Sequence, residues 1–428
     1  MVIMAKASII SIGNELLSGQ AVDTNAAYLS GKLLSMGIPV VSSYTVGDDI
    51  DSIVRAFNLA SRDADVVVAT GGLGPTDDDL TRQAIAKFLN KELQLQDELL
   101  QKIKDFFISR ERQMPENNKI QAYIPAGAKA LVNNLGTAPG IMARLRAVRE
   151  PPLLVALPGV PSEAKQMFEE SVLPELRKLA RLTSGGQATG QAVVVRKLRC
   201  FGTGESHIAE LLGPLMQRGR NPLINCTAQY GIITLHIVAT AEDKDKARQM
   251  VEEDERLLRN KLGELVYGTG EQSLAEVVGE KLTQQKKTIS VAESCTGGTL
   301  AKLLTDVPGA SRYLTHGWVT YSNSAKTSEL GVPAKLIEEH GAVSEQVARA
   351  MAQGARKKAA TDFAVGITGI AGPSGGSEQK PVGLVYISVD SASGCETKRF
   401  TFSHDRATIR LRAAQTALNM LRLKLLQN

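Results

Sequence analysis

Residues 288–300 read TISVAESCTGGTL and hold the arrangement in this chain that most favours catalysis. The apolar run 289–292 predicts a buried parallel strand, Ser294 follows the end of that strand, and Gly297-Gly298 leads into a helical pattern. This order places a hydroxyl nucleophile beside the free backbone N–H groups of a helix start. The alternative is a plain strand-to-helix turn in which the glycines only make the turn tight.

Two further predicted strand ends carry polar side chains, Tyr321 with Lys326 and Thr368 with the glycine-rich loop 369–376. A serine hydroxyl needs a base before it attacks a carbonyl carbon, and no histidine follows a comparable strand. A lysine whose pKa is lowered by burial can be that base, and Tyr321 can relay the proton or stabilise an oxyanion. The alternative places Lys326 on a solvated helix face and Tyr321 in the core.

A second polar loop, TGGLGPTDDD at residues 70–79, follows a predicted strand in the first part of the chain. It matches neither the phosphate loop of NTPases nor the dinucleotide-binding fingerprint. Its glycines nevertheless permit close backbone approach to a phosphate group. Asp78 and Asp79 then have two open interpretations. They complement the dipole of the following helix, or one of them holds a divalent cation against that phosphate.

The elements that position these loops are strands alternating with helices. Strands are predicted at 7–12, 38–46 and 65–70, and each is followed by a polar loop and a helical pattern. Such an alternation predicts an α/β fold with a mostly parallel sheet. In sheets of this kind ligands bind at the carboxyl ends of the strands, where both polar loops lie.

The rest of the chain predicts two further regions. Residues 192–266 read as a small α+β unit without recognisable chemistry, either a connector or a dimerisation module. From about Gly270 the α/β alternation resumes, and a strand predicted at 318–322 ends four residues before Lys326. Polar segments at 182–191 and 267–272 are predicted linkers, so the last region is expected to fold alone.

The composition is that of an ordinary globular protein of two to four domains. The 428 residues include 43% hydrophobic side chains and carry a formal net charge of only +5. No basic run interleaves with aromatic residues and no apolar run reaches the length of a membrane span, so neither nucleic acid nor a bilayer is an expected partner. The start lacks the pattern of a signal peptide, and the four cysteines are far apart, so we expect a cytoplasmic protein without disulfides or structural zinc.

Motifs along nearly the full chain resemble the bacterial competence/damage-inducible CinA family in its two-activity form. GNELLSGQAVDTN, TGGLGPTDDDLT and LPGVPSE are similar to its molybdopterin-binding-like domain, and AESCTGG, TYSNSAK and GITGIAGPSGG to its nicotinamide-mononucleotide amidohydrolase domain. The resemblance implies an α/β protein with a MoaB-like, three-layer domain over 1–172. A small α+β domain over 173–267 and an amidohydrolase domain with a mixed sheet over 268–428 would follow.

The resemblance also implies two activities. The C-terminal domain would hydrolyse the carboxamide of nicotinamide mononucleotide to nicotinic acid mononucleotide and ammonia without a cofactor. The N-terminal domain would cleave ADP-ribose to AMP and ribose 5-phosphate with a divalent metal (Mg, Mn or Co). The implied catalytic residues are Ser294, Tyr321, Lys326 and Thr368, and the implied metal ligands are Asp78 and Asp79.

The resemblance further implies a set of substrate contacts in each domain. Arg406 and Arg410 are alternatives for the phosphate of the amidase substrate. The other implied contacts are Thr296, Gly297, Gly298, Asn323 and Gly369 in the C-terminal domain, and Asn14, Glu15, Asp23, Asn25, Gly71, Gly72, Gly74, Thr76 and Glu163 in the N-terminal domain.

Rival interpretations of the N-terminal domain stay open. It can be a pterin- or nucleotide-binding module without catalysis, because a shared fold does not transfer activity. The family name also suggests a competence-related scaffold, although the sequence offers no charged interaction tail to support it. We further expect a homodimer that binds small-molecule nucleotides.

Overall fold

A computed structural model describes residues 5–144, 152–183 and 192–427, without the side chains of 179–183. The chain forms two compact units, one of residues 1–194 with 239–249 and one of residues 195–238 with 250–428. The linker predicted at 182–191 lies almost wholly outside the described residues. Within the described ranges no helix is both long and apolar enough to cross a bilayer.

The first unit is built from alternating strands and helices. Its strands are β1 (Ala7–Ile12), β2 (Val40–Val46), β3 (Val66–Thr70), β4 (Leu93–Leu95), β5 (Tyr123–Pro125), β6 (Lys129–Leu131), β7 (Gly140–Arg144) and β8 (Leu153–Leu157). Its helices are α1 (Asn14–Leu17), α2 (Thr24–Ser35), α3 (Ile50–Asp63), α4 (Thr81–Leu89), α5 (Asp97–Ile108), α6 (Pro161–Met167) and α7 (Leu173–Thr183).

The sheet of this unit has the order β2-β1-β3-β8-β7-β6, parallel through β8 and antiparallel beyond it. Successive side chains of a strand point to opposite faces. Ile9 and Val68 therefore join one buried cluster with α2, while Ile10 and Val67 join another with α3 and α4. The result is three layers, helix–sheet–helix, as expected. The loops after β1, β2 and β3 meet at one edge of the sheet.

A small antiparallel sheet follows along the chain. Its elements are β9 (Ala192–Phe201), α8 (Glu205–Leu212), β10 (Leu223–Gln229), β11 (Ile232–Ala241), α9 (Lys244–Leu262) and β12 (Val266–Thr269), and the strand order is β10-β11-β9-β12. Most of these residues belong to the second unit, and 192–194 and 239–249 are grouped with the first. The linker predicted at 267–272 is wrong for its first part, because β12 pairs with β9 and Tyr267 is buried in a hydrophobic cluster. A hydrophobic tyrosine at that position was the available signal.

The remaining elements form a five-stranded mixed sheet covered by helices. They are α10 (Leu274–Gln284), β13 (Ile289–Glu293), α11 (Thr299–Thr305), β14 (Leu314–Val319), α12 (Asn323–Leu330), α13 (Ala334–His340), α14 (Glu345–Ala359), β15 (Phe363–Gly369), β16 (Leu384–Ser391), β17 (Gly394–Thr401) and α15 (Arg406–Leu426). The strand order is β14-β13-β15-β16-β17.

Strand direction decides where the polar loops of this sheet meet. β13 runs parallel to both β14 and β15, whereas β15, β16 and β17 pair antiparallel. The carboxyl ends of β13, β14 and β15 consequently lie at one edge. The strand predicted at 318–322 occurs earlier, as β14, so Tyr321 lies in the loop after the strand. The earlier start escaped prediction because the exposed run 315–317 lacks the apolar alternation of a half-buried strand.

Candidate active sites

The Ser294 hydroxyl and the Lys326 amine are in contact at this edge of the second unit. Lys326 Nζ lies 3.1 Å from Ser294 Oγ, 2.9 Å from Thr320 O and 3.3 Å from Tyr321 O. Lys326 is 1% exposed and Ser294 is 8% exposed. The interpretation of Lys326 as a solvated helix residue is therefore wrong.

Burial lowers the pKa of Lys326, because desolvation disfavours the ammonium form. The three partners of its nitrogen suit a neutral amine. Two N–H groups can donate to the carbonyl oxygens of Thr320 and Tyr321, which leaves the lone pair for the proton of Ser294. This geometry can activate the serine as a nucleophile.

The local sequence explains how Lys326 reaches the serine. The Ser322 side chain accepts a hydrogen bond from Ala325 N and so caps the start of α12. Lys326 follows in the first turn, and its backbone N–H donates to Ser322 O. A capped helix that starts four residues after β14 ends holds the lysine against the end of β13.

Glu293, which was not predicted to be a functional residue, organises the serine loop. Its buried carboxylate accepts hydrogen bonds from three amides at the start of α11, those of Gly298 (3.1 Å), Leu300 (3.0 Å) and Ala301 (2.8 Å). A glutamate at a strand end, four residues before a pair of glycines, was the signal for this cap. The negative charge also complements the helix dipole.

The expectation of free N–H groups beside the serine is wrong at two positions. Gly298 N donates to Glu293, and Gly297 N donates to Ser294 O at 3.0 Å. Both glycines have a positive φ, 57° and 93°, a backbone conformation that other residues rarely adopt. The glycines therefore shape the loop, and their amides already have partners.

The side-chain hydroxyls of Tyr321 and Thr368 make their hydrogen bonds to residues other than Ser294 and Lys326. The Tyr321 side chain is exposed, and its hydroxyl accepts a hydrogen bond from Arg406 Nη2 at 2.9 Å. The buried Thr368 hydroxyl donates to Ala342 O at 2.7 Å. The structure thus brings Ser294 and Lys326 into direct contact and assigns other partners to these two residues.

The two arginines expected to bind the substrate phosphate, Arg406 and Arg410, differ in their contacts. Arg410 donates to Thr296 O through Nε (3.0 Å) and Nη2 (2.7 Å), which fixes the serine loop. Arg406 is exposed at the rim, where Nη1 donates to Gly372 O at 2.6 Å. Asn323 begins α12 and Gly369 ends β15 at the same edge of the sheet. The Thr296 Oγ1 atom is buried and has no hydrogen-bond partner among the residues that the structure describes.

A cleft of about 420 Å³ lies at the carboxyl edge of the first unit's sheet. Most of the residues expected to bind substrate in this domain line it. Asn14, Asp23 and Asn25 are not among the lining residues and form hydrogen bonds beside it. The expected residues that line it are Glu15, Gly71, Gly72, Gly74, Thr76, Asp78, Asp79 and Glu163.

Asp79 holds the glycine loop in shape. Its Oδ1 accepts from Gly74 N at 2.8 Å, and its Oδ2 accepts from the amide (2.8 Å) and the hydroxyl (2.5 Å) of Thr76. A side chain at Gly74 would collide with this carboxylate. Helix α4 begins at Thr81 behind Leu80 without a side-chain cap, so Asp79 braces the loop and does not cap the helix.

The three remaining expected residues form structural hydrogen bonds beside the cleft. Asp23 caps α2 by accepting from Ala26 N at 2.9 Å, and Asn25 donates to Gly159 O at 2.8 Å. Asn14 exchanges hydrogen bonds with Asp48, donating its N–H to Oδ2 at 2.9 Å. Asp48 itself lines the cleft and was missed, although it follows β2 as the glycine loop follows β3.

The cleft can hold a divalent cation only if the substrate supplies some of the ligands. The described residues hold no group of three or more metal-ligating side chains, and both oxygens of Asp79 are already bonded within its loop. Burial, with the nearby charges of Glu15 and Asp78, raises the pKa of Asp48, so negative charge in this cleft is poorly compensated. One or two carboxylates completed by substrate oxygens is the usual mode for Mg²⁺, and Asp48 and Asp78 suit it.

Comparison with protein families divides the chain into three matches. Residues 8–178 match the family described as probable molybdopterin binding domain, and residues 195–268 match the damage-inducible protein CinA KH domain. Residues 271–425 match the CinA C-terminal domain. The middle region, predicted only as a small α+β unit, thus has a family of its own.

Similar proteins cover the whole chain. A putative competence-damage inducible protein of Caldicellulosiruptor bescii is 43% identical over 98% of this chain and 99% of its own. A CinA-like protein of Kosmotoga olearia is 44% identical over the same shares of both chains. A crystal structure of the competence/damage inducible protein CihA from Agrobacterium tumefaciens is 42% identical and covers 36% of this chain and 94% of its own, with a TM-score of 0.35.

Proposed function

Because this chain belongs to the CinA family, we propose that its C-terminal domain is a serine–lysine amidase that hydrolyses the carboxamide of nicotinamide mononucleotide. The observation that carries the proposal is the 3.1 Å contact between Lys326 Nζ and Ser294 Oγ in a buried setting. An amide is a poor electrophile, so a serine needs a positioned base to attack it.

The proposed reaction has two halves. Ser294 Oγ attacks the carboxamide carbon while its proton moves to the neutral amine of Lys326. The tetrahedral intermediate then collapses, and Lys326 returns the proton to the departing nitrogen, which leaves as ammonia. A water molecule attacks the resulting ester with Lys326 again as the base, and the proton passes to Ser294 Oγ as nicotinic acid mononucleotide is released.

Two rim residues complete this proposal. The Tyr321 hydroxyl accepts a hydrogen bond from Arg406, so its own proton is free to be donated to the developing oxyanion. Arg406 is exposed, and a guanidinium can bind a phosphate with two parallel hydrogen bonds, so we assign it to the substrate phosphate. Arg410 would keep its contact with Thr296 and position the loop.

A product assay tests the amidase. Full-length protein with nicotinamide mononucleotide should release ammonia and nicotinic acid mononucleotide at the same rate with and without EDTA. Loss of activity in EDTA would point to a metal-activated water, and full activity of Ser294→Ala would remove the serine from the mechanism.

For the N-terminal domain we propose cleavage of the pyrophosphate bond of nucleotides such as ADP-ribose, with ADP-ribose as the substrate. The support is a glycine loop beside poorly compensated carboxylates at the edge of a parallel sheet. A bound divalent cation would neutralise the phosphate charge, and Asp48 and Asp78 would hold it. The loop glycines would let the backbone approach the phosphates, and Asp79 would keep that loop in shape.

The rival for this domain is binding without catalysis. Release of AMP and ribose 5-phosphate from ADP-ribose, abolished by EDTA, supports the pyrophosphatase. Binding of ADP-ribose without product in Mg, Mn or Co supports the rival. The homodimer stays a prediction that light scattering of the full chain can test.

A further inference from the structure

A separate cavity, of about 660 Å³, lies within the second unit, and neither Ser294 nor Lys326 lines it. Its walls come from the loop 201–204 after β9, from the aromatic strand β17 and from one side of α15. Small-molecule sites usually have volumes of about 300–1,000 Å³. The space is therefore of the right size for a ligand such as a mononucleotide, and neither proposed reaction uses it.

The charged side chains that line this cavity are mainly cationic. They are Lys398, Arg412 and Arg422, against the single carboxylate of Glu264. Lys398 is paired with Glu396 at 2.8 Å. Arg422 is 3% exposed, and its guanidinium donates to Asn419 Oδ1 and to the backbone oxygen of Glu264. Burial lowers the pKa of the Arg422 guanidinium, and the Glu264 carboxylate offsets its charge only in part. Buried charges are normally paired, so this cavity has a deficit of negative charge.

Arg412 is the cation most available to a ligand. Its guanidinium lies over the Phe402 ring, 5.4 Å from the centroid, and within the described part of the chain it has neither a hydrogen bond nor an ion pair. Stacking leaves the N–H groups at the edge of the guanidinium plane free to bind a phosphate. Gly231, with a φ of 85°, adjoins Arg412, and a side chain there would crowd the guanidinium.

The residues just before a helix also line this cavity. Helix α8 starts at Glu205, and its N-cap, Gly204, has no side chain to bond the first amides. Thr203 and Gly204 line the cavity, so the positive end of the helix faces the same space as Arg412. A helix start favours an anion, here in addition to an unpaired guanidinium.

We propose that this cavity binds a phosphate-bearing small molecule of mononucleotide size, with Arg412 as the main phosphate contact. The site is independent of both proposed activities. It is nevertheless linked to the amidase through α15, which carries Arg406 and Arg410 at the serine loop and Arg412 at the cavity. A ligand here would therefore contact the same helix that positions the serine loop.

Protection of individual arginines from phenylglyoxal tests the proposal on full-length protein. Labelling is mapped by mass spectrometry with no addition, with inorganic phosphate and with AMP, so each arginine is followed separately. A ligand at ten times its Kd should slow labelling of Arg412 about tenfold. Protection by AMP at lower concentration than by phosphate identifies a nucleotide site, and equal protection identifies recognition of the phosphate group alone.

A variant makes the test independent of labelling chemistry. In a calorimetric titration, Arg412→Gln should lower the number of AMP molecules bound per chain by one. Arg248→Gln, on the exposed face of α9, should leave that number unchanged. Arg412 has no hydrogen bond to lose, so a thermal melt of the variant should match that of the wild type. Unchanged Arg412 labelling at saturating AMP, with unchanged stoichiometry in Arg412→Gln, would overturn the proposal.

Discussion

Ser294 and Lys326 are 32 residues apart in the chain, and the hydroxyl oxygen of one lies 3.1 Å from the amine of the other. The contact exists because β13 and β14 are parallel neighbours, so the loops after both strands meet at one edge. Lys326 is 1% exposed, and its described partners are a hydroxyl and two carbonyl oxygens, so burying its ammonium form is costly for the fold. Such a cost is usually found at functional sites.

The first prediction concerns the serine and the lysine as a unit. Ser294→Ala, Lys326→Met and the double variant should each lose on the order of a thousandfold or more in amidase kcat, because residues that act together lose activity non-additively. Lys302→Met, at an exposed lysine paired with Asp306, is the matched control and should stay active. A double variant much slower than either single variant would show that the two residues act separately.

The second prediction is a pH dependence of stability. The pKa of Lys326 is lowered below its ordinary 10.5 in the folded protein. The unfolded chain then binds the proton more tightly, so this group destabilises the fold below its folded pKa, and the penalty disappears as the pH rises towards 10.5. The difference in urea unfolding free energy between wild type and Lys326→Met should shift in favour of the wild type with rising pH.

The same lysine should set the pH profile of the amidase. Its neutral form is the base, so kcat/KM should rise with pH through the lowered pKa and then level off. A profile that is flat from acid to alkaline pH, with Lys326→Met still inactive, would assign the lysine a positioning role only.

The third prediction concerns the cap on α11. Glu293→Gln keeps the size of the side chain but removes its charge and one acceptor oxygen, leaving at least one buried amide without a good partner. Such a loss costs about 1–3 kcal/mol. Chemical denaturation should show this loss, together with a lower kcat from the displaced serine loop. Glu280→Gln, exposed on α10, is the control, and equal stability of the two variants would contradict the cap.

The fourth prediction separates two neighbouring aspartates. Asp78→Asn should weaken metal-dependent ADP-ribose cleavage without changing the melting temperature. Asp79→Asn should lower both, because Asp79 accepts three hydrogen bonds within its own loop. Titration of Mg²⁺ activation provides the second readout, since only Asp78→Asn should raise the metal concentration for half-maximal activity. The reverse pattern would make Asp79 the metal ligand.

Much of the fold could be predicted because its signals are local. The strands predicted at 7–12 and 65–70 coincide with β1 and, to within one residue, with β3, since their apolar runs and flanking polar residues agree. β12 was missed, and β14 was placed four residues too late. Short strands depend on pairing with partners distant in sequence, and a window of residues does not contain that information.

The sequence by itself determined the residue types available at each strand end: a serine before two glycines, a lysine after a capped turn, and aspartates after a glycine loop. Only the tertiary structure decided what each of them does. It buried Lys326 against Ser294, gave the amides of Gly297 and Gly298 to other partners and bonded Asp79 to its own loop. Desolvation and hydrogen-bond partners arise only when distant segments pack together, so neither can be read from the order of residues alone.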